Sequence, residues 1–340
     1  MTTCLIKVDR KNHEKLVDEM RIPLFQNICN GKIKAIIRSK TAPERNASPR
    51  CHFVHHSSPF LMLGPFHLDI KLRIPFRSIY RDFFTKEEMS WMAEYSLPRL
   101  SATRIFPKSI VSLSKSEIRR SESSNIGYAV GKSIQTWFND ITYKGKLHYI
   151  QFGSPPKYHD RHLNDSYSYS VTHPIMHKIS RKIELSSGFN VTTRYGASYY
   201  QTTNYGLSGL IAAHVDPWGY ESGKILPKDR QDLVLTGDYI ATFMGWFTQP
   251  DAGGGTAFDA EGYEGLMEPI AGDAAFWINL SSNHSRDLRA SHAGCPVLKG
   301  SKWILNKWIY SWDQWKKWPC NIMSDTTIEP NFHISENIKM

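Results

Sequence analysis

The chain has 340 residues, a formal net charge of +10, and 41% hydrophobic residues. This length is sufficient to bury a sizeable core in one to three domains. Its basic residues are scattered without a run of five or more, which favours a basic surface over a nucleic-acid site. No stretch has the length and apolar character expected of a membrane span or a signal peptide.

The first third of the chain predicts a helix, extended segments and a second helix. Residues 1–31 are consistent with an amphipathic helix, and residues 52–79 alternate short apolar runs with Pro and Gly, which favours extended structure. Thr85 and Glu88 have the spacing of a capping box, so a helix is predicted to follow and to end near Ser96.

The clearest helical pattern comes after a polar stretch, residues 101–170, that has no clear period. Between Thr172 and Gly188, the residues Ile175, Ile179 and Ile183 recur at four-residue spacing, and the closing glycine suits a helix C-cap. We therefore expect one helix here, packed on a sheet.

The last third of the chain reads as short strands separated by Gly- and Pro-rich turns. The strand-like runs are Ala197–Gln201, Tyr239–Thr248, Asp273–Leu280 and Trp303–Tyr310. Short strands without a further long helix predict an α+β protein, whose core is a double-stranded β-helix (a distorted jelly roll) with flanking helices.

A candidate metal site lies among these strands. His214 and Asp216 are two residues apart, so in a strand their side chains point to the same face. With the distant His292 they can form the two-histidine, one-carboxylate set that is typical of non-haem Fe(II) oxygenases. The alternative is an ordinary polar pair at a strand end.

Lys302 follows His292 by ten residues and adds a cation to this pattern. It lies between Gly300 and an apolar run, so its side chain is expected to be buried, and a buried lysine needs an anionic partner. A dicarboxylate ligand would be one such partner. The alternative is a surface lysine.

These residues resemble the catalytic domain of prolyl 4-hydroxylase alpha subunits, which are 2-oxoglutarate- and Fe(II)-dependent dioxygenases. The resemblance covers roughly residues 25–320. The matching segments are Ser58–Leu61, Leu63–Pro65, Gln201–Gly206, Ile240–Thr242, Gly253–Phe258, Gly272–Trp277, Cys295–Leu298 and Asn306–Trp308.

The resemblance implies roles for the site residues. Fe(II) would be bound by the two histidines and Asp216, while Lys302 would bind the far carboxylate of 2-oxoglutarate. The hydroxyls of Tyr205 and Thr256 would support the same co-substrate; the alternative for Tyr205 is a core aromatic residue. L-ascorbate would keep the iron reduced.

On the substrate side the resemblance places Trp308 beside the peptide. Two positions depart from the family pattern: Ile211 replaces a tyrosine, and Tyr310 replaces a histidine. The implied function is a procollagen-proline 4-dioxygenase-like activity that hydroxylates peptidyl proline at C4 and yields succinate and carbon dioxide. The alternatives are the same chemistry on a non-collagen protein, an inactive peptide-binding subunit and, more weakly, a nucleic-acid oxygenase.

The chain has five cysteines and no CxxC pair. The resemblance implies two disulfides, Cys29–Cys51 and Cys295–Cys320, and hence an oxidising compartment, the lumen of the endoplasmic reticulum. It also implies assembly with protein disulfide isomerase. The alternative is a set of unrelated buried thiols.

Glycosylation sequons begin at Asn46, Asn164, Asn190, Asn279 and Asn283. Asn279 ends an apolar strand, so we do not expect it to be modified. The resemblance divides the chain into a shortened amino-terminal or linker part, a support region, the dioxygenase core and a tail. Their expected bounds are 1–57, 58–190, 191–320 and 321–340.

Overall fold

The computed structural model describes residues 28–29, 51–55, 58–97, 101–102, 133–138, 142–143, 146–147, 174–193, 195–198, 200–207, 209–217, 236–260, 262–319 and 334–335. Apart from Ile28 and Cys29, the helix predicted over residues 1–31 lies outside the described residues. The sequons at Asn46 and Asn164 lie outside them as well.

The described residues include three α-helices: α1 (Pro59–Leu63), α2 (Lys86–Ser96) and α3 (Pro174–Ser187). The capping box at the start of α2 is confirmed, because the Thr85 hydroxyl accepts from the Glu88 N–H and the Glu88 carboxylate accepts from the Thr85 N–H. All three helices fall short of the length and apolar character that crossing a bilayer requires.

The helix α3 matches its predicted pattern. Ile179 and Ile183 are fully buried, and Ile175 packs against the same core from its margin. The short helix α1, in contrast, departs from the extended structure predicted across residues 52–79. Its first residue is Pro59, whose fixed φ suits the start of a helix.

Eighteen strands are assigned within the described residues. They are β1 (Cys51–Val54), β2 (Phe66–Leu72), β3 (Arg77–Arg81), β4 (Ser101–Ala102), β5 (Ser133–Phe138), β6 (Thr142–Tyr143), β7 (Lys146–Leu147), β8 (Tyr200–Tyr205), β9 (Ile211–His214), β10 (Tyr239–Trp246), β11 (Ala252–Gly253), β12 (Thr256–Phe258), β13 (Gly265–Met267), β14 (Ala274–Ile278), β15 (His292–Gly294), β16 (Val297–Lys299), β17 (Lys302–Tyr310) and β18 (Ile334–Ser335).

The strands form one large sheet and one smaller sheet that matter for the site. The large sheet has ten strands in the order β18-β1-β2-β3-β14-β10-β17-β8-β5-β4. The smaller sheet has four strands in the order β13-β12-β15-β9, and the strand pairs recorded in both are antiparallel. Two further two-stranded pairs are β11-β16 and β6-β7.

The large sheet is covered on both faces, so its central strands are buried throughout. Strand β14 shows this, because Phe276 belongs to the same core cluster as the helix residues Met92 and Ile179, whereas Trp277 packs against Phe258 of the smaller sheet. Successive strand side chains point to opposite faces, which explains the division. The order of layers is helices, large sheet and smaller sheet, and the α+β class is confirmed at this level.

Candidate active site

Two neighbouring, hydrogen-bonded strands of the smaller sheet, β9 and β15, bring the predicted metal ligands together. His214 at the end of β9 pairs directly with His292 at the start of β15, and their ring centroids lie 4.5 Å apart. Asp216 Oδ1 lies 3.5 Å from His214 Nε2 and 3.8 Å from His292 Nε2. One ligand atom from each residue falls within 4.8 Å of the others, which is a spacing that one cation can bridge.

Burial and mutual attraction set the charges of this group. Burial lowers the pKa of His292 to about 4, against the opposing attraction of Asp216. Burial alone would raise the pKa of Asp216, but His292, His214 and a hydrogen bond from Thr242 lower it to about 2. At neutral pH His292 is therefore neutral and Asp216 is ionised, which are the forms that bind a cation.

The ring of His292 is held from behind by a short turn. Its Nδ1 lies 3.1 Å from the Ala290 carbonyl, which leaves Nε2 facing Asp216. The turn itself is fixed by Asp287, whose carboxylate accepts from the backbone and the guanidinium of Arg289. The buried Arg77 of β3 donates to the Arg289 carbonyl at 2.8 Å, so the large sheet supports the histidine indirectly.

The second predicted element, Lys302, is buried with only 2% of its surface exposed. Its Nζ lies 3.3 Å from the Thr256 hydroxyl and 3.4 Å from the Gly255 carbonyl. Burial lowers its pKa to about 7, and no acidic side chain of the described part of the chain contributes to that shift. A buried lysine with only neutral partners is suited to receive an anionic ligand.

The lysine and the metal ligands line neighbouring parts of one region. Tyr205, opposite Lys302 in the β8–β17 pair, has its pKa raised by burial and then by the charge of Asp216. A Cβ at Gly294 would lie 4.0 Å from Lys302 Nζ, and that glycine is two residues beyond His292 on β15. A small anion held by Lys302 could thus reach towards the metal ligands.

A glycine turn brings Thr256 against the lysine. Gly254 has φ +73°, a conformation that L side chains rarely adopt, and a Cβ there would meet Pro250 Cγ at 2.9 Å. The preceding glycine has φ +74° and faces the Pro296 carbonyl. The glycine run predicted as part of the family motif is therefore a close-packed turn beside Lys302.

The residues expected on the substrate side fall into two places. Trp308 and Tyr310 lie on the same face of β17 as Lys302, and both stack on Tyr239, with ring centroids 5.7 and 5.5 Å away. Ile211 instead packs against the cluster between the two sheets, and its Cγ2 lies 2.9 Å from where a Cβ at Gly294 would be. The sequence did not single out Tyr239, although its place opposite Tyr310 follows from the strand register.

The disulfide pairing differs from the expectation. Cys29 is bonded to Cys295, with the two Cα atoms 5.6 Å apart. The preceding residue Ile28 is fully buried among small residues of the smaller sheet, which brings Cys29 to the end of β15. Because a sulfur forms only one disulfide, the expected pairs of Cys29 with Cys51 and of Cys295 with Cys320 are wrong.

The fold and the site thus define a β-rich protein with a largely buried His–Asp–His group and a buried lysine that has no acidic partner among the described residues. No protein-family model matches the chain. The chain is 27% identical to Prolyl 4-hydroxylase subunit alpha-2 of Caenorhabditis elegans over 308 residues, which is 91% of this chain and 46% of the relative. It is 28% identical to subunit alpha-3 of Mus musculus over 272 residues, which is 80% of this chain and 40% of the relative.

A denser match covers a shorter segment. The chain is 34% identical to Prolyl 4-hydroxylase subunit alpha-1 of Homo sapiens over 152 residues, or 44% of this chain and 26% of the relative. The resemblance to prolyl 4-hydroxylase alpha subunits is therefore confirmed. The chain spans less than half the length of these curated relatives.

Solved structures give a weaker likeness. The viral collagen prolyl hydroxylase vCPH from Paramecium Bursaria Chlorella virus-1, in its 2OG complex, has a TM-score of 0.41 and 18% identity, covering 69% of this chain and 95% of that chain. A Pseudomonas putida prolyl-4-hydroxylase has a TM-score of 0.34 and 13% identity, covering 69% of this chain and 91% of that chain. Scores at this level do not establish a common fold.

Proposed function

We propose that this chain is a 2-oxoglutarate- and Fe(II)-dependent dioxygenase that hydroxylates peptidyl proline at C4. The overall reaction consumes 2-oxoglutarate and dioxygen, and it gives succinate, carbon dioxide and the hydroxylated peptide. The observation that carries the proposal is the buried group of His214, Asp216 and His292 beside Lys302, which has no acidic partner among the described residues.

The donor set fits Fe(II). Two imidazoles and one carboxylate supply three ligands from one side and leave further positions for a co-substrate and oxygen. His214, Asp216 and His292 would hold the iron, which supplies the redox chemistry of oxygen activation when bound. The neutral state of His292 and the ionised state of Asp216 at neutral pH suit this role.

Lys302 would bind the far carboxylate of 2-oxoglutarate. Its ammonium group is the charge complement of that carboxylate, and the Thr256 hydroxyl at 3.3 Å can donate to the same anion. Tyr205 would contribute its hydroxyl from β8, the strand that pairs with β17. Apolar residues such as Trp277 and Ile304 pack around this region and exclude water, which strengthens the ion pair.

The arrangement of sheets favours a double-stranded β-helix as the detailed fold. The central strands β14-β10-β17-β8 of the large sheet face the strands β13-β12-β15-β9, and the side chains of both sets share one core. We retain the division into residues 1–57, 58–190, 191–320 and 321–340 as a proposal. The strands β2 and β3 of the support region pair into the same sheet as the core.

The substrate is proposed to be a proline-rich or collagen-like polypeptide. Trp308 pairs with Thr242, whose hydroxyl touches Asp216, so the stack of Trp308, Tyr239 and Tyr310 adjoins the proposed iron site. Aromatic surfaces bind extended proline-rich segments, because these segments are already ordered before binding. Tyr310, which replaces the histidine of the family pattern in this stack, favours a substrate other than procollagen.

The cellular compartment, the reductant and the protein partner of the enzyme are also proposals. The Cys29–Cys295 disulfide and the relatives favour the lumen of the endoplasmic reticulum, with L-ascorbate as reductant and protein disulfide isomerase as a partner. Among the sequons, Asn279 is completely buried and therefore unsuited to glycosylation. Asn283 lies in a turn and is only half-buried, so we propose it as the better candidate.

The test is mass spectrometry of a proline-rich peptide panel that includes Pro-Pro-Gly repeats. The reactions contain Fe(II), 2-oxoglutarate and ascorbate, with His214→Ala as the control. We expect a gain of one oxygen atom on proline that the control lacks. Succinate without peptide oxidation would discard these substrates, and a folded, iron-loaded protein that makes no succinate would favour the peptide-binding alternative. Steeply salt-dependent binding of DNA or RNA would favour the nucleic-acid alternative.

A further inference from the structure

A hydrogen-bonded chain connects the proposed iron carboxylate to the large sheet. Asp216 directs Oδ1 towards the two histidines, while its Oδ2 accepts a hydrogen bond of 2.5 Å from Thr242 Oγ1. Thr242 Oγ1 in turn lies 2.7 Å from Asn279 Nδ2. The two carboxylate oxygens therefore have different partners, and one of them is taken up by the protein.

The direction of these bonds follows from proton counting. The Thr242 hydroxyl donates its single proton to Asp216 Oδ2, because a carboxylate oxygen accepts. The hydroxyl oxygen of Thr242 is then an acceptor, and the amide of Asn279 is a donor that fits it. Reversing the amide would place two acceptors without a proton between them.

Asn279, the last residue of this hydrogen-bonded series, is firmly anchored by its backbone. Asn279 has no exposed surface, its N–H donates to the Ile240 carbonyl at 2.9 Å, and its carbonyl accepts from the Asp287 N–H at 2.9 Å. Thr242 lies in the middle of β10, between β14 and β17. Asp216, in contrast, follows the end of β9 and has no strand of its own to hold it.

We propose that Thr242 and Asn279 are positioning residues that fix the rotation of the Asp216 carboxylate and reserve Oδ1 for the metal. The inference rests on the proposed function, because it assigns a task to residues around the same metal site. Without the Thr242 hydroxyl the carboxylate would be free to rotate, and its buried Oδ2 would have lost its partner. Mutation of a residue that hydrogen-bonds to a metal ligand typically lowers metal affinity by about 10- to 100-fold.

The experiment measures Mn(II) affinity by anaerobic titration of tryptophan fluorescence, which requires no turnover. Thr242→Val keeps the shape of the side chain and removes the hydroxyl, whereas Thr242→Ser keeps the hydroxyl. Thr202→Val is the matched control, since Thr202 is equally buried and donates at 2.7 Å to Ser96 on the helix side of the sheet. The thermal stability of each metal-free variant is measured alongside.

We expect Thr242→Val to weaken Mn(II) binding about 10- to 100-fold, while Thr242→Ser and Thr202→Val stay within about threefold of the original chain. Asn279→Ala should weaken binding in the same direction and provides a second measurement if Thr242→Val does not fold. Unchanged affinity in Thr242→Val or, failing that, in Asn279→Ala would overturn the proposal. An equal loss in Thr202→Val would also overturn it. If His214→Ala also binds Mn(II) normally, it is the proposed metal site itself that fails.

Discussion

His214 and His292 lie directly opposite each other across the β9–β15 pair, with their ring centroids 4.5 Å apart. Their meeting depends on strand register, because a slip by one residue would turn one imidazole to the other face of the sheet. Asp216 completes the group from the loop that follows β9. The position of the proposed metal centre is therefore a consequence of how the smaller sheet pairs.

Divalent metal should stabilise the chain through these ligands. At a free Mn(II) concentration of 100 times its Kd, the free energy of unfolding should rise by about 2.7 kcal/mol. His292→Ala should lose that gain, and EDTA should remove it from the original chain. Thermal unfolding with and without Mn(II) measures both effects. The control is His177→Ala, on the exposed face of α3. If Mn(II) stabilised His292→Ala as much as it stabilises the original chain, the assignment of His292 as a ligand would be contradicted.

The pKa of Lys302 predicts how co-substrate binding depends on pH. Its ordinary value of 10.5 is lowered by burial to about 7 in the folded chain. Above about pH 7 the folded, ligand-free lysine is therefore neutral and must take up a proton to bind a carboxylate. We expect the affinity for 2-oxoglutarate, measured with Mn(II) without oxygen, to fall as pH rises from about 6.5 to 8.5, by at most about tenfold per unit.

The same lowered pKa affects stability with a definite sign. Between about pH 7 and 10.5 the unfolded chain holds the Lys302 proton that the folded chain has lost, so this residue makes unfolding costlier as pH rises through that window. Lys302→Met should flatten both pH profiles. Lys299→Met, which removes an exposed lysine paired with Asp251, should leave both unchanged. A pH-independent affinity in the original chain would contradict the role of Lys302.

Arg77 should be a major contributor to stability. Its buried guanidinium donates to the carbonyls of Tyr263 and Arg289 and lies 4.1 Å from the centre of the Phe258 ring. Arg77→Leu leaves both carbonyls without this donor, so we expect a loss of about 1–3 kcal/mol for each carbonyl in denaturant unfolding. Arg181→Leu removes an exposed pair with Glu184 and should cost less than about 1 kcal/mol. Equal losses in the two variants would contradict this account.

The disulfide makes a prediction that needs no activity. Proteolysis without reduction should release a peptide that contains Cys29 joined to one that contains Cys295, and reduction should separate them. Mass spectrometry of the two digests measures this directly. A Cys295–Cys320 peptide instead would show that the pairing expected from the sequence resemblance is the one formed.

Much of the site could be predicted from local sequence, and the rest depends on contacts between distant strands. The spacing of His214 and Asp216 and the capping box at Thr85 are local patterns. The structure confirms the capping box and brings the two ligand side chains together, although Asp216 lies beyond the end of β9 and not in the strand. The hydrogen bond between Thr242 and Asn279 joins a residue of β10 to the residue that follows β14, so only the register of these two strands reveals it.

Other features were misjudged or missed for the same reason. The family resemblance paired Cys29 with Cys51. In the structure, the burial of Ile28 against the smaller sheet places Cys29 beside Cys295 instead. Arg77 carried no sequence signal, since its partners are backbone carbonyls far along the chain. Side chains that act through the backbone of remote turns leave no spacing pattern to recognise.

The most direct test of the central claim follows the two atoms of dioxygen labelled with ¹⁸O. The metal-loaded chain is supplied with 2-oxoglutarate and the peptide that gains oxygen in the panel. The account predicts one labelled atom in succinate and one in the new hydroxyl of proline, both absent in Lys302→Met at low co-substrate concentration. Unlabelled hydroxyproline, or no labelled succinate from the folded, metal-loaded protein, would contradict it.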